Sequence, residues 1–249
     1  MNTTPVGMYP NPGQSPVCLD AFPNLEGVLD LIYNPARTKL LMDAEDRGII
    51  AENGLLMLVA QAKEAAEWFL GTQIEDSVIG RIHADLRASM ENIILIGMPG
   101  CGKSTLGQIL AQRLNMPFLD ADAELVKDAG QTIPDIFSGR GEDHFRMLET
   151  QTLAKLCMGS GSVIATGGGC VTREENYRHL HQNGRILWIT RDLKHLAADG
   201  RPLSQSYSAE QLWQTREPLY RRFADFVVDN KAAAEAAVSK ILELLGRSK

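Results

Sequence analysis

Residues 93–106 read Ile-Ile-Leu-Ile-Gly-Met-Pro-Gly-Cys-Gly-Lys-Ser-Thr-Leu, and the reading of this stretch decides the fold. Ile93 to Ile96 form a short apolar run bounded by glycine, the pattern of a fully buried strand. Gly97-Met98-Pro99-Gly100-Cys101-Gly102-Lys103-Ser104 follows with the spacing G-x-x-x-x-G-K-[ST]. Leu106, Ile109, Leu110 and Leu114 then recur with the period of a helix. Strand, glycine loop and helix in that order give the context of a phosphate-binding P-loop. Glycines let backbone N–H groups turn inward around phosphate oxygens, and the helix N-terminus adds its dipole. Lys103 then reaches the β- and γ-phosphates, and the Ser104 hydroxyl is placed to ligate Mg²⁺. Gly100, Cys101, Gly102, Lys103, Ser104 and Thr105 are the expected ATP contacts. A plain glycine turn between a strand and a helix is the alternative, and the correct flanks on both sides weigh against it.

Working outward, the chain has 249 residues, enough for one large domain or two small ones. A hydrophobic share of 44% and a charged share of 22% are ordinary for a globular protein. The net charge of −6 disfavours non-specific nucleic-acid binding. Cys18, Cys101, Cys157 and Cys170 are widely spaced with no C-x-x-C pair, which suggests neither a zinc site nor a disulfide framework. That usage fits a reducing, cytoplasmic setting. The N-terminus is polar, with no signal peptide, and no apolar stretch is long enough to cross a membrane.

The first 90 residues and the remainder differ in pattern. Residues 1–27 are rich in Pro, Gly and Asn and read as loop. Asp30 to Tyr33 reads as a short strand ended by Asn34-Pro35, and Thr38 to Arg47 as a helix stopped by Gly48. Gly54 to Leu70 is a second helix, with Leu55, Leu58, Val59, Ala62, Ala66 and Phe69 on one face; Glu75 to Met90 is a third. From Glu91 onward strands and helices alternate, which implies a parallel sheet of α/β class. Five strands are expected at 92–97, 117–119, 162–166, 185–190 and 226–229. Helices are expected at 103–114, 121–129, 132–138, 141–158, 173–183, 192–198, 208–223 and 231–246.

Several polar groups fall at the ends of these strands. Asp120-Ala121-Asp122 follows Pro117-Phe118-Leu119, and carboxylates just past a strand's C-terminal end lie in the ligand crevice of an open α/β sheet. One can help hold Mg²⁺ and the other can accept a proton from a substrate hydroxyl; capping of the next helix is the alternative. Arg146 and Glu149 share a helix face, where a solvated ion pair is the simplest reading. Thr166-Gly167-Gly168-Gly169 ends another strand and lets a ligand approach the backbone. Arg201-Pro202-Leu203-Ser204 stands in a loop of small and polar residues, a lid-like segment whose arginine can neutralise charge as a phosphoryl group leaves ATP. Arg216, Arg221 and Arg222 cluster in Arg216-Glu217-Pro218-Leu219-Tyr220-Arg221-Arg222, some of them necessarily on the surface.

The ordered series GMPGCGKST, FLDAD, FRMLE, TGGG, RPLS and REPLYRRFAD resembles shikimate kinase over about residues 91–246. The resemblance implies a P-loop kinase with a parallel five-stranded sheet flanked by helices, and ATP and shikimate as its substrates. It implies catalytic roles for Asp122, Lys103 and Arg201, with Asp122 holding the acceptor hydroxyls and taking the proton. It implies that Arg146 and Arg216 clamp the shikimate carboxylate, that Gly167, Gly168 and Gly169 contact the ring, and that Ser104 and Asp120 serve the Mg²⁺. Planar arginines are the best partners for a carboxylate, which agrees with the clamp. The family often carries an adenine-stacking arginine ahead of the lid; here Asp192-Leu193-Lys194-His195-Leu196 stands there, so adenine contacts are unassigned. Other small-metabolite kinases share the loop, and a nucleotide-binding regulatory module is the non-enzymatic alternative, which would need no carboxylate clamp.

Within residues 1–90, Asn2 to Met8, Ile32 to Thr38 and Gly54 to Gln61 resemble the C-terminal third of shikimate dehydrogenase, where the glutamine matching Gln61 contacts shikimate. That family's catalytic lysine, aspartate and NADP loop have no counterpart here, so the resemblance implies a remnant: a small N-terminal α/β or helical segment. The expected domains are therefore 1–90 and 91–249. The kinase domain is expected to be a monomer, with self-association through residues 1–90 left open. Finally, Cys101 neighbours Lys103 at a helix N-terminus, so it is the cysteine expected to be alkylated fastest, with an inward-pointing, inert side chain as the alternative.

Overall fold

A computed structural model of the chain describes residues 1–196, 208–231 and 233–247. It divides into two compact units, Met1–Glu91 and Asn92–Lys249.

In the first unit, strands β1 (Gly27–Leu29) and β2 (Ile50–Glu52) pair in parallel, joined through helix α1 (Lys39–Glu45). Thr38 caps α1, its hydroxyl accepting from the Leu41 N–H. Leu40, Leu41 and Ala44 of α1 pack against Val28 and Leu19 to form a small core. The strand expected at Asp30–Tyr33 lies instead at Gly27–Leu29, and the side chain of Asp30 explains the shift. Fully buried, it accepts from Asn2 Nδ2 (3.0 Å), the Ile32 N–H (3.1 Å) and the Thr38 hydroxyl (2.7 Å). A side chain that captures a nearby backbone N–H competes with the sheet ladder and ends it. Strand β2, three residues long, is too short to have left a period in the sequence. Helices α2 (Leu55–Leu70) and α3 (Ser77–Met90) complete the unit, with Lys63 bridging Glu67 and Asp76 across the turn between them. Of the expected apolar face of α2, Leu55 and Val59 are buried, whereas Phe69 is exposed beside Trp68 and Leu70. No residue of α3 is buried.

The second unit is an open sheet of five parallel strands in the order β4-β5-β3-β6-β7: β3 (Asn92–Ile96), β4 (Phe118–Asp120), β5 (Val163–Ala165), β6 (Gly184–Thr190) and β7 (Phe226–Asp229). Around it run α4 (Lys103–Leu114), α5 (Ala121–Ala129), α6 (Ile133–Cys157), α7 (Glu175–His181), α8 (Ala209–Phe223) and α9 (Ala234–Leu244). Successive residues of a strand face opposite sides of a sheet. Accordingly Ile93 and Leu95 pack with Leu106, Leu110, Val238 and Ile241 on one face, while Ile94 and Ile96 pack with Leu153, Trp188, Tyr220 and Phe223 on the other. Burial on both faces is why β3 reads as an unbroken apolar run. Helix α6 bends at Gly141 (φ 79°, ψ 176°), so the two helices expected at 132–138 and 141–158 meet end to end. The helix expected at 192–198 is only a 3₁₀ turn at Leu193–His195, with residues 197 and 198 outside the described residues.

The Asp30 network makes the first unit testable by itself. Asp30→Ala strands three donors in a buried site and should destabilise residues 1–91 by about 2–4 kcal/mol. Hydrogen exchange followed by mass spectrometry should show lost protection in α1 and β1 and unchanged protection in β3 and β6.

Candidate active site

The sheet's register collects the chemistry at one edge. Asp120 at the end of β4 pairs with Ala165 at the end of β5, and Leu95 of β3 pairs with the same Ala165. The loops that leave these strands, Gly97–Gly102, Asp120–Asp122 and Thr166–Gly169, therefore start at one level beyond the C-terminal ends, where ligands bind in open α/β sheets.

The P-loop is built of tight packing and unusual dihedrals. Gly97 has φ 145°, and a methyl group there would lie 2.4 Å from the Ile189 carbonyl, so only glycine lets the loop leave the sheet here. Lys103 is buried, its Nζ donating to the carbonyls of Gly97 (2.9 Å) and Met98 (3.1 Å), which satisfies the ammonium inside the loop. Asn230 Nδ2, just past β7, donates to the Cys101 carbonyl at 2.8 Å and anchors the loop to the sheet. The Cys101 side chain is fully buried, and reactivity demands access, so the inward, inert alternative is the correct one. Cys157 and Cys170 are buried too, and burial pushes both thiols up to about 12. Cys18 is the exposed cysteine.

Ser104 and Thr105 open α4 on the exposed side of the loop. The Ser104 hydroxyl donates to Asp120 Oδ2 at 2.8 Å, while Asp120 Oδ1 accepts from the N–H groups of Asp122 (3.1 Å) and Ala123 (3.3 Å). Asp120 thus fills both roles the sequence left open: one oxygen caps α5 and the other faces the phosphate loop. A hydroxyl and a carboxylate oxygen side by side are hard oxygen donors of the kind Mg²⁺ takes, with phosphates and water supplying the rest of its shell. No larger group of acids, histidines or cysteines suited to a metal occurs among the described residues.

Beyond this lies a second, drier half of the site. A methyl group on Gly167 would lie 2.6 Å from Glu149 Oε1 and 2.8 Å from Asp122 Oδ1, so both carboxylates flank this glycine. A methyl on Gly169 would lie 2.2–2.4 Å from the guanidinium of Arg146. Arg146 and Arg216 are both buried. Arg146 donates to Glu149 Oε2 (2.7 Å) and Glu142 Oε1 (3.0 Å), and Arg216 donates to the Gly168 carbonyl (3.2 Å). The pair of Arg146 and Glu149 is therefore an interior one, and the solvated reading of it fails. Burial pushes the Glu149 carboxyl up and the Asp122 charge adds to that rise, while Arg146 opposes it. Among the described residues Glu149 Oε1 has no hydrogen-bond partner. Read from sequence, Glu149 is only a solvated partner of Arg146 with no place in the site; the three-residue spacing signals the pair but not its burial. Arg201 and the segment to Ser204 lie outside the described residues.

A lysine-bearing P-loop, a hydroxyl–carboxylate pair beside it and two buried arginines at the neighbouring glycine loop are the features of a P-loop phosphotransferase. Comparison with known proteins narrows the class. The family model for shikimate kinase matches residues 99–246, and the chain belongs to that family. A shikimate kinase of Pseudomonas putida is 42% identical over 166 residues, which span 63% of this chain and 96% of the relative. The structure of an Acinetobacter baumannii shikimate kinase in complex with shikimate superposes with a TM-score of 0.60 at 36% identity, covering 65% of this chain and 96% of that one. The Aquifex aeolicus shikimate kinase gives a TM-score of 0.55 at 35% identity, over 62% and 96% of the respective chains. The second unit is thus a kinase, and its fold is that of the P-loop kinases.

The interior ion pair carries a stability prediction. Glu149→Ala leaves Arg146 with only the half-exposed Glu142, and should cost about 3 kcal/mol in urea denaturation. Arg146→Met combined with Glu149→Leu should recover most of that loss, because neither charge then remains buried.

Proposed function

We propose that the second unit transfers the γ-phosphoryl group of ATP to the 3-hydroxyl of shikimate, giving shikimate 3-phosphate and ADP. Phosphorylation of shikimate by ATP is the activity that family membership carries. The observation that carries the residue assignments is the packing of Asp122 and Glu149 against Gly167, of buried Arg146 against Gly169 and of buried Arg216 against the Gly168 carbonyl, next to the P-loop.

In this reading Arg146 and Arg216 hold the substrate carboxylate, since planar, buried guanidiniums match its geometry. Asp122 orients the hydroxyl and accepts its proton as the oxygen–phosphorus bond forms and the bond from phosphorus to the β,γ-bridging oxygen breaks. Lys103, which donates to two loop carbonyls, neutralises charge on the β- and γ-phosphates. Gly100, Cys101, Gly102, Ser104 and Thr105 offer backbone N–H groups to the same phosphates. Ser104 and Asp120 would hold Mg²⁺, which supplies charge neutralisation on the triphosphate when bound. Arg201 is proposed as the lid arginine. Catalysis then rests on positioning and electrostatics, with no covalent intermediate on the enzyme.

The first unit is proposed to take no part in the chemistry and to descend from a shikimate dehydrogenase C-terminal segment, with the domain boundary near residues 90 and 91. Exposed Trp68, Phe69 and Leu70 support self-association through it, and four cysteines with no disulfide between them support a cytoplasmic setting. Among the described residues no helix is long and apolar enough to cross a membrane.

ADP release measured with and without shikimate tests the assignment: turnover should require shikimate. Arg146→Ala and Arg216→Ala should each weaken shikimate binding by about 2–4 kcal/mol. Asp122→Asn should abolish turnover while ATP binding persists by calorimetry; wild-type turnover in that variant removes Asp122 from the mechanism. Deletion of residues 1–90 should leave kcat within about twofold, because no group proposed to act on either substrate precedes the P-loop.

A further inference from the structure

Arg216 has two partners to serve. Its Nη1 donates to the Gly168 carbonyl at 3.2 Å, and in the reading above its guanidinium also takes the substrate carboxylate, which draws on the same set of donors. A buried carbonyl that loses its donor carries a desolvation penalty, which would oppose substrate binding. Gly168 has a second donor: the Tyr220 hydroxyl, one helical turn from Arg216 on α8, also donates to the Gly168 carbonyl. The Arg216 guanidinium lies beside the Tyr220 oxygen, where its charge acts against the rise of the phenol. Tyr220 is fully buried and its ring stacks on Trp188, with centroids 5.8 Å apart and planes at 22°. Burial pushes its phenol far above the ordinary range, so the hydroxyl stays protonated and donates throughout the working pH range. On the far side Gly168 rests on the P-loop, where an added methyl would lie 2.6–2.9 Å from atoms of Pro99.

We infer that Tyr220 is a positioning residue of the acceptor site: its hydroxyl holds the Gly168 carbonyl and steadies Arg216, so that Arg216 is released to the substrate carboxylate while the Gly167–Gly169 loop stays in place. The inference rests on the proposed role of Arg216. Tyr220 touches neither substrate. Its effect falls on the acceptor side, because the P-loop has its own anchor in the bond from Asn230 to the Cys101 carbonyl.

The test is Tyr220→Phe in the full chain, which keeps the ring and its stacking and removes one oxygen. The KM for shikimate is expected to rise about five- to tenfold, with the KM for ATP within about twofold and the thermal midpoint little changed, as for loss of one hydrogen bond. Combined with Arg216→Lys, the two effects should be non-additive, since both act on Gly168. An unchanged KM for shikimate, or an equal rise in both KM values with a large fall in thermal midpoint, overturns the inference. Arg216→Ala separates this from the underlying reading. If Arg216→Ala raises the KM for shikimate and Tyr220→Phe does not, Tyr220 alone is misassigned. If Arg216→Ala leaves that KM unchanged, the carboxylate clamp itself is wrong and this inference falls with it.

Discussion

The register of three adjacent parallel strands is the constraint on which the site depends. Leu95, Asp120 and Ala165 are held level by main-chain hydrogen bonds, so the loops that follow them begin at one edge. Each loop alone is unremarkable chemistry: a glycine turn, a helix cap, a glycine run. Slipping one strand by a single residue would turn its side chains to the opposite face and bury polar groups in an apolar layer. The two faces of β3 are filled by different helices, which makes that slip expensive and the site's geometry correspondingly rigid.

Charge in the site is compensated by the protein's own oxygens. Lys103 rests on two loop carbonyls, Arg146 on two glutamates, and Arg216 on a glycine carbonyl. Unpaired, such groups could not be buried without a cost of several kcal/mol each. The partners are of the same chemical kind as the ligands, oxygen atoms with partial or full negative charge. In the proposed function, binding would exchange one set of oxygens for another. Exchange of this sort keeps the cations aimed and desolvated, and such preorganisation is where electrostatic catalysis gets most of its strength.

Much of the second unit was legible in the sequence because its signals are local. The run Ile93–Ile96 followed by glycines and Lys103 reports its own structure, and the sheet's alternation sets the class. Asp120 was ambiguous for a physical reason: its two oxygens do different things, one in the helix cap and one at the loop. Other features depend on contacts distant in sequence. Whether the Arg146–Glu149 pair is solvated or interior is decided by elements more than fifteen residues away, Gly167–Gly169 and α8. Asn230 reaches the P-loop from the far end of the chain, and nothing near it in sequence signals that bond. Cys101 was misjudged for a related reason: a helix N-terminus and a neighbouring lysine are visible locally, but the direction of the side chain is not.

The first unit shows the same principle in reverse. Its strands are three residues each, its helices α2 and α3 bury little, and its order hangs on Asp30 rather than on a large core. Small cores supply little stability, so polar networks carry a greater share. A network of this kind leaves no periodic trace, since Asn2, Asp30 and Thr38 follow no repeat. Apolar period could therefore place α2 and α3 yet misplace β1: helices advertise themselves by spacing, whereas this strand ends where one carboxylate takes the backbone for itself.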